Sequence, residues 1–365
     1  MKMIFREISA AEFAEFVKTC PNVSYMQSLP MFERYQKIGR ECYLLGVFKG
    51  AHLAAAGLAS VIYERFSRKL FTFSRGPLCD FAKDHDAFLY LLKEAKPFLR
   101  EKSGIVLQIS PSLLMPDAPV GFQADLKAAG YKYLGEYEQV KWVYALSFNK
   151  IEKLPPVKLR LRPDAKHSEV LSPNLTLEQE DKLLRSFRRD HRYTIKYATD
   201  RYGLRLREPP VEEYGILLKL IEESGAVHGF VPRDLKFFEQ MKDAFRNDVA
   251  AIVAETKDGT PVAAAFFILY GDEVIYLSSG LAREHKKLGG PHLIQSALIK
   301  YAYANGYKKY NFWGTNPDPE NGVYKFKQGF HGEVEEFVGT FAAPLDLLGR
   351  IYLAKIRPAQ HRELQ

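Results

Sequence analysis

The sequence predicts an α/β protein of the α+β kind, because one order of elements occurs in both halves of the chain. The expected strands are 42–48, 53–63 and 70–74 in the first half, and 250–255, 262–270 and 274–279 in the second. In each half, a helix and one more strand follow. Two halves with the same order of elements indicate a duplicated unit.

The first half begins with a helix over 10–20, where Ser9 and Glu12 have the spacing of a capping box. A helix over 84–102 is expected from apolar residues that recur every three or four positions. The remaining elements of this half are a second helix within 27–39, a strand over 104–109, a short helix over 122–129 and a strand over 137–146.

Prolines and charged residues are concentrated over 150–174, which we interpret as the junction between the halves. The second half then has helices over 177–192 (continuing to about 201), 211–224, 233–246 and 286–305, and a last strand over 310–313.

Length and composition set broad limits. The 365 residues favour two or three domains. No apolar run approaches the ~18 residues that span a bilayer, and the N-terminus has no signal-peptide core, so a cytoplasmic location is expected. The three cysteines are far apart and have no close partner at metal-ligand spacing, which argues against disulfides and against a zinc site.

The net charge of +8 is unevenly distributed. Residues 150–207 hold 15 Lys and Arg against 8 Asp and Glu. Such an excess suits a polyanionic partner, such as RNA, a pyrophosphate or an anionic membrane face. A solvated helical face is the simpler alternative.

The densest chemistry lies over 310–339. A strand ending at Trp313-Gly314 is followed by a polar loop and by the run Gly322-Val323-Tyr324-Lys325-Phe326-Lys327-Gln328-Gly329-Phe330. Glycine lets a backbone approach a ligand closely, and a lysine among aromatic residues acts strongly on a phosphate or a developing oxyanion. The run predicts the floor of a cleft, although a core strand and a surface turn would also explain it.

This run, together with Trp313-Gly314, resembles a segment of the FemX/FemAB aminoacyltransferases. Those enzymes attach amino acids from aminoacyl-tRNA to the stem peptide of a peptidoglycan precursor, either UDP-MurNAc-pentapeptide or the lipid-linked lipid II. The resemblance extends over 27–339 and is weakest over 150–181.

The resemblance implies two tandem acyltransferase domains of the GCN5-related (GNAT) fold, a layout that the order of elements also matches. The first would cover 1–148 and be completed by the C-terminal segment 340–365, and the second would cover 149–339. The chain lacks the long coiled-coil hairpin of the FemA type, so it is closer to the compact FemX type.

Other motifs gain substrate roles from the resemblance. Lys37, which follows Gln27-Ser28, would hold the diphosphate or sugar of the precursor. Arg75 begins an Arg-Gly-Pro turn near Asp80, for which a structural turn with an ion pair is the alternative. Precursor contacts are therefore expected at Lys37, Arg75, Arg233, Tyr276 and Tyr324.

A basic helix around Arg192 and Lys196 resembles the family's basic helix and is expected to contact the tRNA backbone. The amphipathic run over 345–357 and the basic segment would suit transient contact with the inner face of the membrane. The histidines at 228, 292 and 331 are interpreted as ordinary polar residues.

The reaction implied is aminolysis of an aminoacyl ester, which needs neither a cofactor nor a metal. Lys327 is the candidate for stabilising the tetrahedral oxyanion, and Phe326 would shape its pocket. An acyl-CoA-dependent N-acyltransferase is the alternative, but Pro291 removes a backbone donor from the loop that would hold a pyrophosphate. A catalytically silent protein that binds RNA or a cell-wall precursor is a third hypothesis.

Overall fold

The computed structural model of the chain describes residues 2–151 and 173–356. Its strands are β1 (Met3–Glu7), β2 (Cys42–Lys49), β3 (His52–Arg65), β4 (Arg68–Arg75), β5 (Leu78–Cys79), β6 (Gly104–Pro111), β7 (Lys132–Gly135), β8 (Trp142–Ser147), β9 (Arg205–Arg207), β10 (Val249–Glu255), β11 (Pro261–Tyr270), β12 (Glu273–Leu281), β13 (Lys309–Gly314), β14 (Glu333–Glu336) and β15 (Thr340–Pro344). Its helices are α1 (Ala10–Thr19), α2 (Leu29–Lys37), α3 (His85–Glu101), α4 (Phe122–Ala128), α5 (Leu177–Arg185), α6 (Arg189–Asp200), α7 (Tyr214–His228), α8 (Leu235–Phe245), α9 (Gly290–Ala304), α10 (Gly322–Gln328) and α11 (Leu347–Lys355).

Most of the expected proline-rich junction, and part of the basic segment, lies outside the described residues. So does the end of the expected C-terminal segment. The described helices include none that is long and apolar enough to cross a membrane.

The chain forms two units, each with its own sheet. The first contains the residues up to Lys141 and those from Glu336 onward, and the second runs from Trp142 to Glu335. The boundary expected at residue 148 falls after β8, whereas β8 belongs to the second unit because it pairs with β13 there. The C-terminal segment enters the first unit through β15, which lies between β6 and β7.

The sheet of the first unit has the strand order β1-β2-β3-β4-β6-β15-β7, with β5 beside β3. Strands β2, β3 and β4 are antiparallel neighbours. Helix α3 then returns the chain so that β6 runs parallel to β4. The apolar face of α3, which includes Phe88, Leu91 and Leu99, is fully buried against this sheet, so the expected amphipathic helix has the role that its spacing predicts.

The second unit repeats this arrangement. Its sheet has the order β14-β8-β13-β12-β11-β10-β9. Strands β10, β11 and β12 are antiparallel neighbours, and α9 connects β12 to the parallel strand β13. Both units therefore consist of an antiparallel meander, a helix and a parallel strand, which confirms the predicted α+β class and its duplication.

Candidate active site in the second unit

The run that carries the family resemblance forms a short helix rather than a turn. Asn321 caps α10 by accepting a hydrogen bond from the Tyr324 N–H at 3.0 Å. This cap satisfies one of the free backbone donors of the first turn. Lys327 lies in the last turn of α10 and is only 5% exposed, so the helix buries a cation in the interior of the unit.

The amine of Lys327 contacts the end of β13. Its Nζ donates to the carbonyl oxygen of Trp313 at 3.3 Å and to that of Gly314. Burial lowers the pKa of this amine to about 7, because a charged group is poorly solvated in the interior. An ammonium has three hydrogens, so one remains to reach a substrate oxygen after both carbonyl contacts are made.

Beside this amine, β12 and β13 separate. Their parallel register runs from Glu273 opposite Lys309 to Ile275 opposite Asn311, although both strands continue further. Leu277 is an extra residue in the β11–β12 register, which makes a β-bulge in β12. Where β12 and β13 no longer pair, their backbone N–H and C=O groups face a gap between the two strands.

The corresponding strands of the first unit stay together. There β4 and β6 remain in register as far as Arg75 opposite Pro111. Of the two parallel strand pairs, β4–β6 and β12–β13, the pair in the second unit is therefore the one that separates, and it does so near the amine of Lys327. Trp313 helps to end β13, because its backbone is left-handed, with φ 63°.

Phe326 packs against two histidines that the sequence did not single out as functional. Its ring lies 4.9 Å from that of His292 and 5.7 Å from that of His191. His191 Nε2 also donates to the carbonyl oxygen of Phe326 at 2.9 Å. His191 precedes Phe326 by 135 positions, and His292 lies on α9 rather than α10. A local sequence pattern therefore could not have predicted that the three residues meet. His292, interpreted as an ordinary polar residue, instead helps to pack the wall beside Lys327.

The two histidines touch each other, with ring centroids 4.6 Å apart. Burial, and then the neighbouring His191, lower the pKa of His292 to about 4. His292 is therefore neutral at physiological pH, and its Nδ1 is buried without a hydrogen-bond partner. Together with Phe326 and Phe330, the pair forms an aromatic cluster behind α10.

Two tyrosines expected to hold the precursor lie in this unit. Tyr276 is on β12 and only 8% exposed, and burial raises the pKa of its hydroxyl to about 12. Tyr324 is half-buried on α10, with its ring 5.9 Å from that of Tyr144. Nearby, the hydroxyl of Tyr310 donates to Gln295 Oε1 at 2.7 Å, which adds a polar group behind the gap between β12 and β13.

The residues expected to contact tRNA lie on α6. Lys196 is exposed and Arg192 is half-buried, with a guanidinium nitrogen donating to the carbonyl oxygen of Arg185 at 3.1 Å. Tyr193 and Tyr197 on the same helix are 46% and 48% exposed. Helix α6 thus presents cationic and aromatic side chains together.

Arg233 also belongs to this unit. It precedes α8, whose first residue is Leu235 and whose N-cap is Asp234. The guanidinium lies 4.4 Å from the centre of the Phe237 ring, and the residue is exposed. The helix was expected to begin at Arg233 but begins two residues later, and the contact of Arg233 with a precursor stays a prediction.

Lys37 and Arg75 lie in the first unit. Lys37 is exposed in the last turn of α2. Arg75 is 3% exposed. It donates to the carbonyl oxygen of Val140 at 2.7 Å and lies 3.7 Å from the centre of the Phe337 ring. Asp80 is the residue with which Arg75 could have formed an ion pair. Its Oδ2 instead lies 2.9 Å from the Nζ of Lys83.

The side chain of Gln27 packs against the Arg-Gly-Pro turn and gives Gly76 a structural role. Its side-chain amide donates to the carbonyl oxygens of Leu58 and Ser74, at 3.1 and 2.9 Å, and accepts from the Leu58 N–H. It therefore bridges the backbones of β3 and β4. A Cβ on Gly76 would lie 2.5 Å from this side chain, so the glycine of the Arg-Gly-Pro turn makes room for Gln27.

The loop that a coenzyme A pyrophosphate would need is covered by protein. A Cβ on Gly289 would lie 2.8 Å from Thr194 Cγ2 and 3.4 Å from the Ala198 Cβ, both on α6. One on Gly290 would lie 2.9 Å from Val262 Cγ1. The first turn of α9 is thus packed against α6 and β11, and Pro291 lacks a backbone donor there.

Comparison with known proteins agrees with this geometry. The sequence profile of the FemAB family matches residues 8–135, 170–257 and 248–349. Aminoacyltransferase FemA of Staphylococcus aureus (strain bovine RF122 / ET3-1) is 23% identical over 406 aligned positions, covering 94% of this chain and 96% of FemA. FemA of strain N315 aligns with the same identity and coverage.

Two solved structures show the fold. The crystal structure of FemX has a TM-score of 0.75 at 19% identity and covers 98% of this chain and 100% of its own. A tandem GNAT protein from the clavulanic acid biosynthesis pathway has a TM-score of 0.54 at 11% identity, with 94% and 99% covered. Because the FemAB profile spans most of the sequence and FemA aligns with it almost from end to end, the chain belongs to the FemAB family.

Proposed function

We propose that this chain transfers an amino acid from aminoacyl-tRNA to an amine of the stem peptide of a peptidoglycan precursor. The chain is an aminoacyltransferase, like its FemA relatives. The observation that carries the proposal is the buried amine of Lys327 beside the gap between β12 and β13. In its protonated form this amine is a buried cationic hydrogen-bond donor, which is the kind of group that stabilises an oxyanion.

The chemistry is an aminolysis. The amine nitrogen attacks the ester carbonyl, a C–N bond forms, and the C–O bond to the tRNA ribose breaks. The amine loses a proton and the leaving ribose oxygen gains one, so the step balances without a co-reactant. The ester is already activated, so the protein must position both substrates and stabilise the oxyanion.

Lys327 supplies the positive charge in this proposal. In its protonated form, the third N–H is directed at the carbonyl oxygen on which negative charge develops. Low solvation strengthens that interaction compared with one in water. The rings of His191, His292 and Phe326 pack together next to α10 and hold the helix that carries this amine in place.

The tRNA partner is supported by α6. Arg192 and Lys196 would contact phosphates, and the exposed rings of Tyr193 and Tyr197 offer stacking surfaces. The precursor would be held by Lys37, Arg75, Arg233, Tyr276 and Tyr324, as the family resemblance implies. A lipid-linked precursor would further require the protein to work peripherally at the membrane surface.

An acyl-CoA donor is disfavoured by the packing of Gly289 and Gly290 under α6 and β11. A donor with a pyrophosphate needs backbone N–H groups exposed at that helix start. The present packing would have to open before such a group could bind.

The test measures transfer of a radiolabelled amino acid from charged total tRNA to UDP-MurNAc-pentapeptide and, in parallel, to lipid II. We expect label in one or both acceptors, with loss of transfer in Lys327→Ala. Label in neither, together with consumption of acetyl-CoA in the presence of an amine, would overturn the proposal and select the acyl-CoA alternative.

A further inference from the structure

The first unit exposes apolar side chains on two neighbouring elements. We call them the apolar patch. It comprises Ile62 (37% exposed), Tyr63 (54%) and Phe66 (85%) of the β3–β4 hairpin, and Leu347 (69%), Leu348 (47%) and Ile351 (50%) of α11. Single exposed apolar residues are ordinary, but a group of this size marks an interaction surface.

The two elements lie side by side. Arg68 Nη1, in the hairpin, lies 3.9 Å from Asp346 Oδ2, at the N-cap of α11. Behind them, Leu70 of β4 and Leu353 of α11 belong to one buried cluster. The hairpin and the helix are therefore neighbours that are held together by this buried cluster, and the patch spans both.

Packing within the first unit does not explain why α11 carries exposed apolar side chains. Helix α11 already buries one face, through Gly349 and Leu353. A Cβ on Gly349 would lie 1.9 Å from the carbonyl oxygen of Ile105, so that face is tightly seated. The apolar side chains at 347, 348 and 351 project from another face of the same helix and remain in solvent.

Packing within the unit does not explain the phenylalanine at position 66 either. Phe66 and Ser67 form the hairpin turn with φ of 50° and 59°. Asparagine, aspartate and glycine are favoured at such positions, because a large L side chain adopts this backbone at a steric cost. The turn nevertheless places a phenylalanine at its tip, with almost no contact to the rest of the protein.

Cations surround the patch. The guanidinium of Arg65 lies 5.1 Å from the centre of the Phe66 ring. Arg68 is 53% exposed, and Arg350 and Lys355 on α11 are also exposed. The acidic residues of these elements are Glu64 and Asp346, so the surface is net positive.

We propose that the apolar patch docks on an anionic phospholipid bilayer. Apolar and aromatic side chains would enter the boundary between headgroups and acyl chains, while the arginines and lysine contact lipid phosphates. A second copy of the chain fits less well, since a twofold contact would bring the same cations face to face. The proposal rests on the proposed function in one respect: docking would present the enzyme to a lipid-linked acceptor.

The test is cosedimentation of the full chain with vesicles of phosphatidylglycerol and phosphatidylcholine, compared with phosphatidylcholine alone. We expect binding to the anionic vesicles that weakens with salt. Phe66→Ser and Ile351→Ser should each weaken it about tenfold, because each removes a large inserted side chain. Val120→Ser is the matched control, since Val120 is 103% exposed in the same unit but outside the patch, and its binding should be unchanged.

Transfer assays separate this inference from the proposed function. Phe66→Ser should keep transfer to UDP-MurNAc-pentapeptide and reduce transfer to lipid II in vesicles, in proportion to its weaker vesicle binding. If the wild type transfers to neither acceptor, the proposed function fails while the vesicle assay still decides the docking. Absence of binding to anionic vesicles, binding that neither patch variant weakens, or a dimer in solution that Ile351→Ser dissociates would each overturn the inference.

Discussion

The Nζ of Lys327 lies 3.3 Å from the carbonyl oxygen of Trp313, a residue whose backbone is left-handed, with φ 63°. The contact joins α10 to the point where β13 ends and diverges from β12. One side chain therefore fixes both the helix that carries the family motif and the end of the open strand pair. Its position gives the following predictions.

Replacing Lys327 should impair catalysis more than binding. We expect Lys327→Met to lower kcat by a factor of about 10²–10³, with a smaller change in KM, because a donor to the oxyanion acts mainly in the transition state. Lys325→Met is the control. Lys325 lies on the same helix but is 50% exposed and 3.1 Å from Glu320. Equal losses in both variants would contradict an oxyanion role.

The pH dependence of transfer should report the lowered pKa of Lys327, which is about 7. If the protonated amine stabilises the oxyanion, kcat falls as the pH rises through that value. Lys327→Arg should remove this descending limb, because a guanidinium stays protonated, even if its overall rate is lower. The check is a kcat profile at saturating substrates. A wild-type rate that increases through pH 7 and levels off would instead assign Lys327 to proton removal.

Gly329 should be intolerant of a side chain. A Cβ at this position would lie 2.0 Å from His191 Nε2, which donates to the carbonyl oxygen of Phe326. We expect Gly329→Ala to lower the free energy of unfolding by about 2–3 kcal/mol, as overpacking does, measured by denaturant unfolding.

The matched control is Gly322→Ala at the first residue of α10, whose C-cap is Gly329; a Cβ on Gly322 would meet nothing within 4 Å. Its free energy of unfolding should change by less than about 0.5 kcal/mol. Similar effects of the two substitutions would show that α10 does not depend on the packing of His191.

Charge on α6 should govern the salt dependence of tRNA binding. Removing one phosphate contact lowers the slope of log affinity against log salt by about 0.7–0.9. Lys196→Gln and Arg192→Gln should each show this reduction, and affinity should fall for all tRNAs alike. Lys127→Gln, an exposed lysine of the first unit, should leave the slope unchanged. If neither α6 variant changes the slope, α6 does not contact the tRNA phosphates.

Local patterns in the sequence predicted the features that depend on neighbouring residues. The capping box of α1 is present, with the Glu12 N–H donating to Ser9 Oγ at 3.2 Å. Lys327 and Phe326 were found together because the family motif is contiguous. Helix α10 was missed, although Asn321 carried the signal of an N-cap, because glycine and aromatic residues obscured the helical period.

Features made by distant residues could not be read in this way. His191 and His292 meet only through the packing of α6 on α9, and the separation of β12 from β13 depends on pairing across the sheet. The position of β8 in the second sheet is likewise a non-local choice, which is why the boundary lies at residue 141 and not at 148. The roles of Lys37 and Arg75 still rest on the family resemblance.

The place of β15 affects the order in which the protein can be assembled during synthesis. This strand lies between β6 and β7 in the first sheet, yet its residues emerge from the ribosome after the entire second unit. The N-terminal unit therefore waits, with a gap in its sheet, while the later unit can already fold. A nascent chain that stalls before Thr340 would expose two strand edges, and such edges favour aggregation.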